Sequence, residues 1–251
     1  MLSAFNQNLQ KKFNVIDGFD FDPHDYSWSC ILCGDKMSYV TKSINGRINH
    51  FRHYSTKNCN YEQESETHLE MKGYLYEEFP KWNDIKLKDL EHNIDKQVIL
   101  DVYFELNDGY TIGIECQVSK MSWGEFEKRM RIYDEKNLFV IWIFHYDSFL
   151  STQPLSFDYE INSKYVYNEH FLNAYFSKSD TLIQQVHDIY NNRVYFYRNN
   201  KIFSISFPTE LEIIKNVLYF SRGLTVEKEL PSLNISEFLQ KSGYKIALFN
   251  Q

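Results

Sequence analysis

With 251 residues, 43% hydrophobic and 17% aromatic, and only 9 Gly and 5 Pro, the chain has a globular composition that excludes long disordered or low-complexity tracts. No stretch approaches the roughly 18 uninterrupted apolar residues of a membrane span, and the opening MLSAFNQNLQKKF lacks the apolar run of a secretory signal, so a cytoplasmic protein without a membrane span is expected. The net charge of -7 argues against a nonspecific nucleic-acid coat, and the acidic excess falls entirely in residues 1–150, where clustered carboxylates would need cations.

Residues 1–61 read as short polar and aromatic segments carrying Cys30, Cys33, His50, His53 and Cys59, too loop-rich to fold without help. In a reducing compartment, cysteines are better read as metal ligands or buried thiols than as disulfides. Cys30-x2-Cys33 followed by His53-x5-Cys59 supplies the four soft or borderline ligands of a closed, structural zinc site. Gly34 can relieve the turn after the first pair, and the 19-residue gap between Cys33 and His53 leaves room for a hairpin. His50 competes with His53 for the third position, with His53 preferred.

Residues 62–79 place Leu69, Tyr76 and Phe79 among charges, the pattern of an amphipathic helix. Its residues Glu64, His68 and Lys72, spaced four apart, share one face. VILDVYFEL (98–106) and YTIGIECQV (110–118) read as strands joined by a tight Asn107-Asp108-Gly109 turn, and LFVIWIF (138–144) reads as a third. Between the last two, Trp123, Phe126, Met130 and Tyr133 recur at helical spacing, so a crossover helix is expected to set strand 138–144 parallel to its predecessor. Beyond residue 150 the pattern predicts a helix near 180–190, a hairpin of RVYFYR and KIFSISF around Asn199 and Asn200, and a helix near 234–241, with no catalytic constellation. Tyr195, Phe196 and Tyr197 in that hairpin are read as sheet residues in preference to a base-stacking platform.

Asp101 lies inside an apolar strand, where a carboxylate is costly unless paired or bound to a cation. Strand alternation sends Glu115 and Gln117 to one face and Cys116 to the other. An Asp and a Glu on adjacent strands form an oxygen cradle of the kind Mg2+ takes, and a metal there can activate water against a phosphodiester. The helix face of Glu64, His68 and Lys72 is expected to line the same cleft, and Arg129 and Tyr133, four apart on the next helix, to contact phosphate.

These elements, in this order, resemble the CoiA-like family of competence-associated proteins. The resemblance runs from MLSAF through CILC, HFRH, Cys59 and ESETHLEMK to Asp101, IECQVS, the helix with Arg129 and Tyr133, and FVIWIF, covering residues 1–150 with a vaguer similarity beyond. It implies a PD-(D/E)xK, restriction-endonuclease-like core behind a zinc-binding segment, in a protein linked to DNA uptake and recombination. It makes Asp101 and Glu115 the Mg2+ or Mn2+ carboxylates, His68 a helix residue facing the site, and Gln117 the holder of a position that carries Lys in the wider superfamily. An amide cannot supply the charge of an ammonium, so Lys72 or Lys120 is expected to provide it.

The expectation is therefore a mixed α/β (α+β) protein with a zinc-ribbon-like segment at 1–61, a nuclease-like core at 62–150 and a C-terminal helical and hairpin region at 151–251. The expected activity is metal-dependent hydrolysis of DNA in natural competence or recombination, with DNA and recombination or competence proteins as partners. The alternatives are a DNA- or protein-binding accessory factor that has lost catalysis, favoured by Gln117 and the negative charge, and a restriction or anti-phage nuclease with the same chemistry.

Overall fold

The computed structural model describes residues 1–41, 48–55, 59, 64–119, 121–152, 170–172, 186, 193–206, 211–214, 217–220 and 226–230. The chain divides into two compact units, Met1–Glu115 and Cys116–Gln251. Both mix strands with a few helices.

The first unit opens with β1 (Ser3–Asn6), β2 (Lys11–Asn14), β3 (Trp28–Ser29), β4 (Lys36–Val40) and β5 (His50–His53), which form an antiparallel sheet in the order β2-β1-β3-β4-β5. Strands of two to five residues expose too little apolar surface to hold a sheet by themselves, so aromatic side chains close it. Trp28 and Phe51 are buried with ring centroids 4.8 Å apart, and Phe13 meets Trp28 edge-on at 6.0 Å. β4 and β5 form the hairpin that the 19-residue gap allows, with Met37 paired to His53.

α1 (Glu66–Trp82) follows, capped by Ser65, whose hydroxyl accepts from the His68 amide at 3.2 Å. Leu69, Leu75, Tyr76 and Phe79 are buried along it, and Pro80 falls in the last turn. At Gly73 the N-terminal segment approaches the helix closely: a Cβ there would sit 3.1 Å from Ile16 Cδ1. β6 (Ile85–Ile94), β7 (Val98–Leu106) and β8 (Thr111–Gln117) then form an antiparallel meander, with Gly109 at φ +90° in the β7–β8 turn. Phe79 stacks on Phe104 at 4.6 Å, fixing α1 to β7. The strand β6 is an addition to the sequence expectation.

In the second unit, α2 (Trp123–Glu135) is capped by Ser122 and leads to β9 (Phe139–His145), the short α3 (Tyr146–Phe149), β10 (Leu150–Thr152) and β11 (His170–Leu172). β12 (Arg193–Arg198) runs parallel to β9 and pairs antiparallel with β13 (Lys201–Ser206) across Asn199 and Asn200, both at positive φ as a type I′ turn requires. β14 (Leu211–Ile214), β15 (Val217–Phe220) and β16 (Val226–Leu230) complete the described strands, β16 pairing with β13. Tyr195, Phe196 and Tyr197 are all buried, as the sheet reading expects. The helix expected near 234–241 lies outside the described residues, and of the one near 180–190 only Val186, helical and buried, lies inside them. Among the described residues no helix is long and apolar enough to cross a membrane.

Candidate metal centre and carboxylate cluster

Cys30, Cys33, His53 and Cys59 converge in the first unit, with one ligand atom of each within 4.8 Å of all the others. Cys30 Sγ lies 4.0 Å from Cys59 Sγ, twice the length of a disulfide, and Cys33 Sγ lies 3.5 Å from His53 Nε2. The Cys30–Asp35 turn is built to receive thiolates: the Leu32 amide donates to Cys30 Sγ (3.3 Å) and the Asp35 amide to Cys33 Sγ (3.4 Å). Gly34 closes the turn at φ +78° and donates its amide to Cys30 O (3.0 Å). Burial, together with the neighbouring thiols of Cys59 and Cys33, pushes the Cys30 thiol up to about 12 against the opposing backbone amides. Three thiols and an imidazole gathered this closely are a donor set that suits a metal ion. His50 is not one of them; its Nδ1 lies 2.9 Å from Ile48 O. Because nothing lies within 4 Å of a Cβ at Gly34, Gly34→Ala carries only the left-handed backbone penalty, and it should lower stability by about 1–2 kcal/mol in thermal unfolding of the purified protein.

The second constellation gathers where α1 lies over the meander. Glu64, His68 and Asp101 bring their ligand atoms within 4.8 Å of one another. His68 Nε2 is 3.1 Å from Asp101 Oδ2 and its Nδ1 is 3.3 Å from Glu64 Oε1, so a histidine donating to both must be the imidazolium. Burial opposes that charge, yet Asp101 and, less strongly, Glu64 outweigh it and hold the histidine above its ordinary range. Lys72, one turn further along α1, is wholly buried; it donates to Glu64 and Glu91 and lies 3.7 Å from Asp101 Oδ1. Burial would raise the Glu64 carboxyl, but Lys72, His68 and the terminal ammonium of Met1 bring it down to about 2. Glu64 Oε2 sits 3.4 Å from the Met1 nitrogen, is buried and makes no hydrogen bond.

Asp101 occupies the middle of this arrangement on β7. On the β8 side the last described pair is Val102↔Ile114, and Asp101 and Glu115 are the next residues on their strands. On the β6 side Asp101 lies between Leu100 and Val102, whose partners His92 and Leu90 flank Glu91. Three buried carboxylates, Glu91, Asp101 and Glu115, are thereby set on three successive strands, and Glu64, just ahead of the Ser65 cap of α1 and not on the helix as the sequence pattern predicts, joins them with a side chain 6% exposed. Side-chain exposure rises from none at Lys72 and Glu91 through 6% at Glu64 and 12% at Asp101 to 23% at His68, so among these five the cluster opens to solvent at the histidine. Glu91 is the member that sequence reading missed.

The remaining predicted residues belong to the second unit. The Gln117 amide donates to Ser119 O in its own chain segment. Arg129 pairs with Glu125 at 3.1 Å, one turn back on α2, while Tyr133 is 1% exposed and packed in the core. Lys120 lies outside the described residues.

Neither a curated protein nor a solved structure matches the chain. The family model described as "Competence protein CoiA, nuclease-like domain" matches residues 64–214, a span that begins at Glu64 and holds His68, Lys72, Glu91, Asp101 and Glu115. The chain belongs to the CoiA competence protein family, and the cluster around Asp101 lies in the part that matches its nuclease-like domain.

Proposed function

We propose that this protein is a metal-dependent DNA nuclease acting in natural competence or recombination, with a PD-(D/E)xK-type core over residues 62–150. The observation that carries the reading is the buried cluster of carboxylates, histidine and lysine inside the region of nuclease-like similarity. The order α1, β7, β8, α2, β9 supports the same core. A divalent cation suits the cluster because Glu64 and Asp101 bring carboxylate oxygens close together beside His68 at a site with little solvent, where clustered negative charge is costly without positive charge. Oxygen donors from Glu64, Asp101 and Glu115 favour Mg2+ or Mn2+.

When bound, such a cation would supply an activated water and neutralise charge on the scissile phosphate. The protein's own groups do the rest. Asp101 and Glu115 would hold the cation from adjacent strands, and Glu64, just ahead of α1, would add a third carboxylate. His68, the most exposed of the five groups compared above, sits where the cluster opens to solvent and orients Asp101 through its Nε2. Lys72 is wholly buried and so does not touch DNA; it acts through its field, a positive charge bonded to Glu64 and Glu91 and 3.7 Å from Asp101, where position 117 offers only an amide. Arg129 is the candidate phosphate contact in the second unit.

The Cys30, Cys33, His53 and Cys59 group is proposed to hold structural Zn2+. Three thiols and an imidazole are a zinc donor set, and tetrahedral bonds of about 2.3 Å put two sulfurs about 3.8 Å apart, close to the 4.0 Å between Cys30 and Cys59. All four positions are protein ligands, so the site is closed to substrate.

A second reading, a binding factor without catalysis, is favoured by Lys72, whose ammonium already meets the carboxylates a metal would need. Cleavage of labelled DNA separates the two readings. The nuclease reading expects Mg2+- or Mn2+-dependent cleavage that Asp101→Asn lowers by on the order of 1000-fold, the loss of about 4 kcal/mol of transition-state stabilisation. Metal-independent DNA binding with no cleavage by the wild type would favour the binding factor.

A further inference from the structure

Glu91 combines features that an ordinary salt-bridge residue lacks. It is wholly buried, and its backbone adopts φ +55° inside β6, a conformation that costs a residue with a Cβ and persists only where its surroundings enforce it. Its carboxylate has three ties. Oε1 accepts from the Leu2 amide at 2.8 Å and from Lys72, and Oε2 accepts from the Ser3 amide at 2.9 Å. Neighbouring bonds reinforce the junction: Ser3 Oγ donates to Leu90 O (2.8 Å), and Lys12 Nζ bonds both Asp89 Oδ1 (2.7 Å) and Glu91 O (2.9 Å). Leu2 and Ser3 lead directly into the sheet that carries the Cys3His group. Lys72 sits 3.7 Å from Asp101 Oδ1, beyond hydrogen-bond reach, so its place beside Asp101 is set by the two carboxylates it does bond, Glu64 and Glu91.

We infer that Glu91 is a positioning residue of the nuclease-like cluster: it fixes the Lys72 ammonium beside Asp101 and ties that cation to the first strand of the sheet carrying the Cys3His group. A buried ion pair is weak evidence for stability by itself, since an apolar pair of like volume often serves as well. What an apolar pair cannot do is hold a cation at a fixed point among carboxylates that bind a metal. The groups facing Glu91 are Lys72 on α1, the Leu2 and Ser3 amides on the N-terminal strand and Lys12 on β2, so the tie reaches from the N-terminal sheet to the helix through one side chain.

The inference rests on the nuclease reading for its rate readout alone, and a second readout is independent of activity. The full-length protein, wild type and Glu91→Gln, is treated briefly with acetic anhydride and acetylation at each lysine is read by peptide mass spectrometry, with Lys81 and Lys86, about 60% exposed, as internal references. The same proteins are assayed for DNA cleavage with kcat and KM separated. Lys72 should be protected in the wild type and become labelled in Glu91→Gln, while kcat falls about 10- to 100-fold and KM stays within about twofold. A wild-type Lys72 labelled as fast as Lys81 overturns the inference with no variant needed. So does a Glu91→Gln protein that keeps both its protection and its kcat, or one whose loss appears wholly in KM. If the wild type cleaves nothing, the nuclease reading falls, and the labelling alone decides whether Glu91 holds Lys72.

Discussion

Lys72→Met is expected to lower the folding free energy by on the order of 3–5 kcal/mol, because it leaves Glu64, Glu91 and Asp101 crowded and buried with their central cation gone. The loss should depend on pH in a definite sense. In the wild type Glu64 is depressed from 4.5 to about 2, so its contribution is complete above pH 4.5 and is lost as pH falls toward 2. In the variant the unpaired carboxylates take up protons instead, so the gap between the two proteins should be widest near neutrality and narrow in acid. Urea unfolding midpoints at pH 7 and pH 4 check both the size and the trend. Adding Glu91→Gln to Lys72→Met removes one of the stranded charges, and the double variant should recover about 1–3 kcal/mol relative to the sum of the single losses. Strict additivity would show that the two residues do not act on each other.

The other large effect belongs to the Cys3His group. Metal binding in small zinc domains is worth about 10–16 kcal/mol, comparable to or above the about 5–15 kcal/mol of a whole domain, so Cys33→Ser should unfold the N-terminal sheet outright. Wild-type protein is expected to carry one equivalent of zinc by atomic absorption and the variant far less. Amide exchange locates the damage: the Phe51 and Val15 amides, which donate to Met1 O and Leu2 O, should lose protection, whereas the β7–β8 amides should keep most of theirs. Equal zinc content and unchanged exchange in the variant would leave the four residues without a metal role.

The elements legible in the sequence were those whose physics is local. VILDVYFEL became β7 over Val98–Leu106 because an apolar, β-branched run bounded by a Gly109 turn has little else to do. The β12–β13 hairpin was equally visible, since paired asparagines tolerate the positive φ that its turn demands. The Cys-x2-Cys spacing carried its own turn, down to Gly34. His50 and His53 differ only in which faces the thiols, which the register of β4 and β5 decides and spacing does not.

What stayed hidden depends on distant partners. β6 spells IKLKDLEHNI, whose exposed lysines mask the period-2 signal along the strand. The N-terminal strands are too short for any periodicity to register. Glu91 stands among charged residues and reads as solvated; its burial follows from amides 88 and 89 positions away and from a helix lysine 19 positions away, none of which local sequence can announce. His68 and Lys72 were legible as one helix face, whereas Glu64 falls ahead of the Ser65 cap and off the helix; a charged helix face is more often wet, and only the meander beneath shows why Lys72 is buried.

The most direct test of the central claim is cleavage of labelled single- and double-stranded DNA by the purified full-length protein with Mg2+, Mn2+ or EDTA, beside Asp101→Asn. The account predicts cleavage that requires the divalent cation and falls by on the order of 1000-fold in the variant. Cleavage that survives EDTA, or that Asp101→Asn retains in a preparation free of contaminating nuclease, would contradict it.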